Sequence, residues 1–123
     1  MNAKEFRIGN WLKDISANTS SCLNYHIIHT IDSGAINNTP IESDWFEPIS
    51  LKPDILDRIL QCRKISVDCY TIGDVGLFIK KLSSGEWAVF VHNNVETQLR
   101  YKFLHQLQNL YFDLTGEELS VIL

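Results

Sequence analysis

The sequence predicts an α+β fold: a strand-rich N-terminal lobe, a connecting helix, then an antiparallel β-meander covered by a C-terminal helix. Three observations carry this. Apolar residues recur at a spacing of two in short runs separated by Gly, Asn, Asp and Pro, the pattern of strands joined by turns. Pro53 stands at the head of a stretch with helical apolar spacing, where its missing N–H does no harm. Near the end, Phe103, Leu104, Leu107, Leu110, Tyr111 and Leu114 share one face when roughly 100° per residue is counted off.

The first strand is expected over residues 8–13, entered through Gly9-Asn10. Over residues 22–31, Leu23, Tyr25, Ile27, His29 and Ile31 alternate onto one face and predict a single strand. Asp32-Ser33-Gly34 is a turn, Ala35-Ile36 starts a return strand, and Asn37 to Pro40 is loop chemistry. Such short strands predict a small curled sheet, SH3-like in character. Residues 44–51 read as an extended connector, an edge strand at best because of Pro48. The helix after Pro53 has the stripe Ile55, Leu56, Ile59 and Leu60, although Lys52 is a poor N-cap.

After Lys64 the period returns to two. Strands are expected around Val67, Cys69 and Ile72, around Val75, Leu77 and Ile79, and around Trp87, Val89 and Val91. A fourth follows with Val95, Thr97, Leu99 and Tyr101. Ser83-Ser84-Gly85-Glu86 and His92-Asn93-Asn94 supply tight turns between them. The last helix is predicted over residues 102–115, with Leu107 and Leu114 facing the meander and Gly116 as C-cap. Residues 120–123 return as a short strand. The boundary falls between 1–51 and 52–123, two lobes sharing one core.

At 123 residues the chain hides roughly two-thirds of its unfolded surface, enough to fold without staples. A formal charge of −4 argues against a general DNA or RNA coat, because phosphate neutralisation needs a basic surface. It leaves room for a small basic pocket. Cys22, Cys62 and Cys69 are an odd set with no CxxC pair, which suits free thiols in a reducing cytoplasm. No apolar run is long enough to span a bilayer, and residues 1–13 lack a signal-peptide core. The expected localisation is cytoplasmic.

Catalytic and metal motifs are missing. His26 and His29, three apart in a strand, point to opposite faces, and adding Cys22 gives no known zinc spacing. Neither Cys62 nor Cys69 has the local signature of a nucleophile, and the chain holds no Gly-rich phosphate loop, GxSxG or HExxH. No cofactor and no metal are expected.

What remains is a candidate binding surface. His105, Gln106, Asn109 and Asp113 make the polar face of the last helix, with Gln108 at its margin beside Phe112. Amides there either bond to a neighbouring loop or strand, or donate and accept toward a ligand. Arg100 and Lys102 lie just before the helix, where free N–H groups at its start favour anions, and Lys80 and Arg100 are expected on adjacent strands. Trp45 is the indole in the least regular segment, the one chosen as a stacking platform. The candidate ligand-binding set is therefore Trp45, Arg100, Lys102, His105, Gln108 and Asn109.

Three segments, "RIGNWL", "DWFEPISLKPDIL" and "HQLQNLYFDLTGEEL", in that order, resemble a family of small uncharacterised proteins from Bacteroidetes genomes, prophages and phages. The resemblance implies a phage or mobile-element accessory protein and no chemistry. Two positions depart from the family pattern: Lys52 stands where Thr or Ser usually precedes the proline, and Cys62-Arg63 where Gly-Phe usually follows the helix. The leading expectation is a non-catalytic accessory binding protein, in its sharpest form an anti-defence sponge for an anionic nucleotide immune signal. The alternatives are a protein–protein adaptor or inhibitor, binding a host protein or its own copies through the last helix, and a small enzyme with a composite site.

Overall fold

Alternation in the C-terminal half and brevity in the N-terminal half both carry through to the computed structural model of the chain. It describes residues 6–14, 25–28, 31–32, 35–36, 39–40, 46–74, 76–91 and 95–123. The N-terminal strands are β1 (Trp11–Asp14), β2 (Tyr25–Ile27), β3 (Ile31–Asp32), β4 (Ala35–Ile36), β5 (Thr39–Pro40) and β6 (Phe46–Glu47). They form two three-stranded antiparallel sheets, ordered β2-β1-β6 and β3-β4-β5. The single strand expected over residues 22–31 is divided: β2 pairs with β1, while β3 pairs with β4. Ile28, fully buried, is pinned between them by its N–H donated to the Asn10 carbonyl (2.8 Å) and its carbonyl accepting from Gly9 (2.9 Å).

Helix α1 (Pro53–Leu56) is a single turn with no side-chain cap at Lys52. Its expected stripe is cut short. Ile55, Leu56 and Ile59 are buried, but Leu60 is 69% exposed. The chain has already left the helix, and Leu60 donates its N–H to the Ser120 carbonyl, while Ile59 bridges Val121. The expected strand at 120–123 is thus an isolated bridge.

Strands β7 (Cys62–Ser66), β8 (Cys69–Ile72), β9 (Leu77–Lys81), β10 (Trp87–Val91) and β11 (Val95–Tyr101) then build a five-stranded antiparallel sheet, each next to its neighbour in sequence. Strand β7 is an addition to the sequence reading. Its residues are half-buried or exposed throughout, so no alternation marks it. Val67, expected on a strand, is 78% exposed in the turn, next to Asp68 in the left-handed region (φ 62°). Both edge strands are irregular, β7 between Lys64 and Ser66 and β11 opposite Ala88 to Phe90. Irregular edges resist pairing with another sheet.

One face of this sheet carries Tyr70, Ile72, Leu77, Ile79, Trp87 and Val89, all at most 2% exposed. Helix α2 (Leu104–Thr115) contributes Leu104, Leu107 and Tyr111 to the same core cluster, and Gly116 (φ 74°) terminates it by donating its N–H to the Phe112 carbonyl. Leu114 does not join them. It is 54% exposed at the helix end. Tyr70 fastens α1 to the sheet by donating its hydroxyl hydrogen to Asp57 (3.1 Å); burial and that bond push its pKa up to about 12.

Leu107→Ala is expected to destabilise the fold by about 2–5 kcal/mol, as truncation of a buried leucine does. Leu114→Ala should change stability by less than about 0.5 kcal/mol. Denaturant titration of both variants against the parent checks the assignment of the helix face.

Candidate anion-binding cleft

Helix α2 buries more of its circumference than its apolar stripe requires. His105 and Gln108, read as polar-face residues, are each 1% exposed. The Gln108 amide docks the N-terminal lobe: its Nε2 donates to the Gly9 carbonyl (3.2 Å) and its Oε1 accepts from the Trp11 N–H (3.1 Å). Asn109 Oδ1 accepts from the Asn10 side chain (2.9 Å). Arg7 completes the seam by donating to the Gln108 carbonyl (3.0 Å), pairing with Glu118 and lying 4.3 Å over the Phe112 ring. Gln108 is therefore a structural residue, out of reach of a ligand.

His105 sits between the rings of Phe6 (4.1 Å between centroids) and Phe103 (5.9 Å). Burial pushes its pKa down to about 4. With Asn109 it borders a shallow cleft of about 280 Å³ that also meets Tyr101, Gln106 and Asp113. No Lys or Arg lines that cleft, and the Asp113 carboxylate disfavours an anion there.

Arg100 is turned away from α2. Register places it beside Ala88, across which lies Lys80, on the sheet face opposite Trp87. Lys80 and Arg100 thus flank β10 and do not sit on adjacent strands. The Arg100 guanidinium donates to the Thr97 and Leu99 carbonyls and pairs with Glu96 at 3.0 Å. The helix start is not a free anion nest either. Gln106 Oε1 accepts from the N–H groups of Lys102 (2.9 Å) and Phe103 (3.1 Å), and Leu104 donates to the Ile49 carbonyl (2.8 Å). Trp45 lies outside the described residues.

Of the five candidates among the described residues, Lys102 alone lines a cationic site, and its companions come from elsewhere in the chain. Ser50 bridges Phe103, Leu51 donates its N–H to the Lys102 carbonyl (2.8 Å), and the buried Trp87 indole donates to the Leu51 carbonyl (3.2 Å). These bonds bring residues 50–52 alongside 102–103. The register of β9 on β10 sets Lys81 opposite Trp87, at the open end of the core face. The result is a cleft of about 410 Å³ lined by Ser50, Lys52, Lys81, Ser84, Lys102 and Phe103. Its floor at the β9–β10 hairpin is Gly85 (φ 91°), beyond which space is open. No carboxylate among the described residues lines it. Among the described residues, none of the three ammonium groups is in an ion pair.

Lys52 and Lys81 were not in the sequence-derived set. A signal for Lys81 existed: it continues the alternation of Leu77 and Ile79, a lysine at a core-facing position where the strand runs out. Nothing in the sequence pointed to Lys52 beyond its odd placement as a cap.

Redox and metal chemistry find little purchase in what is described. Burial pushes the Cys62 thiol up to about 12, which keeps it protonated and a poor nucleophile. Cys62 and Cys69 are both free thiols, and among the described residues no group of three His, Cys, Asp or Glu could hold a metal. No described helix is long and apolar enough to cross a membrane. No family model, curated protein or solved structure matches the chain.

Gln108→Ala should destabilise the protein by about 1–3 kcal/mol, because it leaves the part-buried Trp11 N–H and Gly9 carbonyl without these partners. A titration showing under about 1 kcal/mol would mean the lobe docks by other contacts. His105 gives a pH dependence. Above pH 6.5 its ring is neutral in folded and unfolded chains alike; below, the unfolded chain takes the proton first. Stability therefore falls as pH drops from 6.5 to about 4, by up to about 3 kcal/mol, and this part of the slope should be absent in His105→Leu.

Proposed function

We propose that this chain is a non-catalytic binding protein that takes an anionic, nucleotide-like small molecule into the Lys52–Lys81–Lys102 cleft. The observation that carries the reading is three lysines lining one concavity beside Phe103, with no ion pair to any of them and no carboxylate lining it among the described residues. Like charges gathered around a concavity repel one another and raise its potential, and a bound anion relieves this. The Ser50 and Ser84 hydroxyls add donors, and the half-buried Phe103 offers an aromatic surface to a base.

In this reading the protein acts in the cytoplasm, the host's if it is phage-encoded, as an accessory that sequesters an anionic immune signal. The N-terminal lobe is read as SH3-like. The adaptor alternative has less surface to work with: α2 is covered by the sheet on one side and by the lobe on another, leaving Phe112 and Leu114 as its exposed apolar residues. An enzyme reading lacks a nucleophile–base pair among the described residues, since Cys62 is held protonated and His105 is enclosed by phenyl rings.

The test is to incubate pure protein with a panel of cyclic and linear nucleotides and identify what is retained and then released intact on denaturation. For the retained ligand, Lys52→Glu, Lys81→Glu and Lys102→Glu should each weaken binding about tenfold, with losses that shrink at high salt. Arg100→Ala should bind like the parent. Retention of nothing, or parental binding by all three reversals, overturns the reading.

A further inference from the structure

The lysine cleft does not end at Lys52. A second, smaller cavity of about 110 Å³ shares Ser50 and Lys52 with it and runs on to Lys13, Glu47 and Asp54. Its lining is of mixed charge, two lysines with two carboxylates. Glu47, across the β1–β6 pair from Lys13, holds that lysine at 3.5 Å, which leaves Lys13 largely neutralised. Asp54 is 76% exposed and only loosely paired with Arg58 at 3.9 Å. The two cavities thus adjoin at Ser50 and Lys52: the first is lined by three lysines that are in no ion pair among the described residues, and the second adds Lys13, Glu47 and Asp54.

A phosphate is attracted to the first cavity, whereas in the second two carboxylates offset the lysines. The carboxylates suit a group that donates hydrogen bonds, and vicinal hydroxyls of a sugar are such donors, as when an acidic side chain binds a ribose in dinucleotide sites. The larger cavity alone, about 410 Å³, falls in the range of small-molecule pockets. Resting on the anion reading above, the geometry points to a polar ligand bound in one direction: a ribonucleoside phosphate with its phosphates at Lys81 and Lys102 and its ribose hydroxyls at Glu47 and Asp54. The adjoining cavities then discriminate a ribonucleotide from a bare polyphosphate and from a nucleotide stripped of its diol.

Calorimetry with three probes at one ionic strength tests this: inorganic tripolyphosphate, adenosine triphosphate, and its 2′,3′-dideoxy analogue. The expected result is that the parent binds adenosine triphosphate about tenfold more tightly than either of the others. Glu47→Gln combined with Asp54→Asn should bring it down to the level of the dideoxy analogue without weakening tripolyphosphate, since removing two negative charges does not repel an anion. Equal affinity of the parent for the nucleotide and its dideoxy analogue overturns the inference and needs no variant. So does a double variant that keeps the preference. If tripolyphosphate binds and the preference is absent, the lysine cleft stands and the directional assignment alone fails; if none of the three binds, the directional assignment fails, and the nucleotide panel decides the anion reading.

Discussion

The Gln108 amide is the contact on which the arrangement of the two halves rests. A glutamine in the middle of a helix has one acceptor and two donors to satisfy, and burial at 1% exposure leaves it no water to use. It finds both partners on one short segment, the Gly9 carbonyl and the Trp11 N–H, and so fixes that segment in position and in register along the helix. Two neighbours repeat the logic: Asn10 bonds Asn109, and Arg7 reaches the Gln108 carbonyl. Apolar packing alone would tolerate a slide of the lobe along α2. Directional bonds to a backbone do not.

The cleft follows from a second constraint of the same kind. A buried tryptophan needs a partner for its N–H, and Trp87 takes the Leu51 carbonyl. That choice holds the chain at residues 49–52 against 102–104, where Leu51 and Leu104 add two backbone bonds. Lys52 and Lys102 are then brought to one lip as a consequence of satisfying an indole deep in the core. Lys81 arrives by sheet register opposite the same Trp87. The stability of the core and the gathering of charge are thus one arrangement, which is why surface lysines from three distant parts of the sequence share a site.

Much of this was legible where one physical signal acted alone. The alternation around Leu77, Ile79, Trp87 and Val89, the hairpin at 83–86 and the αL cap at Gly116 were all read from sequence because local chemistry and tertiary role agree there. The reading failed where a residue served two elements. His105 and Gln108 look like solvated polar-face residues only if a helix has one buried side; here it has two. Strand β7 has no apolar face to betray it, since it lies at the sheet edge with mostly exposed side chains. Lys52 reads from sequence as a poor N-cap, and it makes no cap bond; it is instead the lysine that lines both cavities.

The charge balance narrows the kind of ligand further. The whole chain carries −4, so the cationic concavity is a local exception in an acidic field. At physiological salt charges are screened beyond roughly 8 Å, and an anion inside the cleft therefore experiences mainly the lysines around it. A polymer that leaves the cleft past Lys52 meets Glu47 and Asp54, whose charges offset those of Lys13 and Lys52. Each further phosphate then meets weaker attraction, whereas nucleic-acid coats gain affinity from every phosphate they neutralise. The arrangement favours a compact anion that ends where the lysines end, and under the proposed reading that is a single small nucleotide.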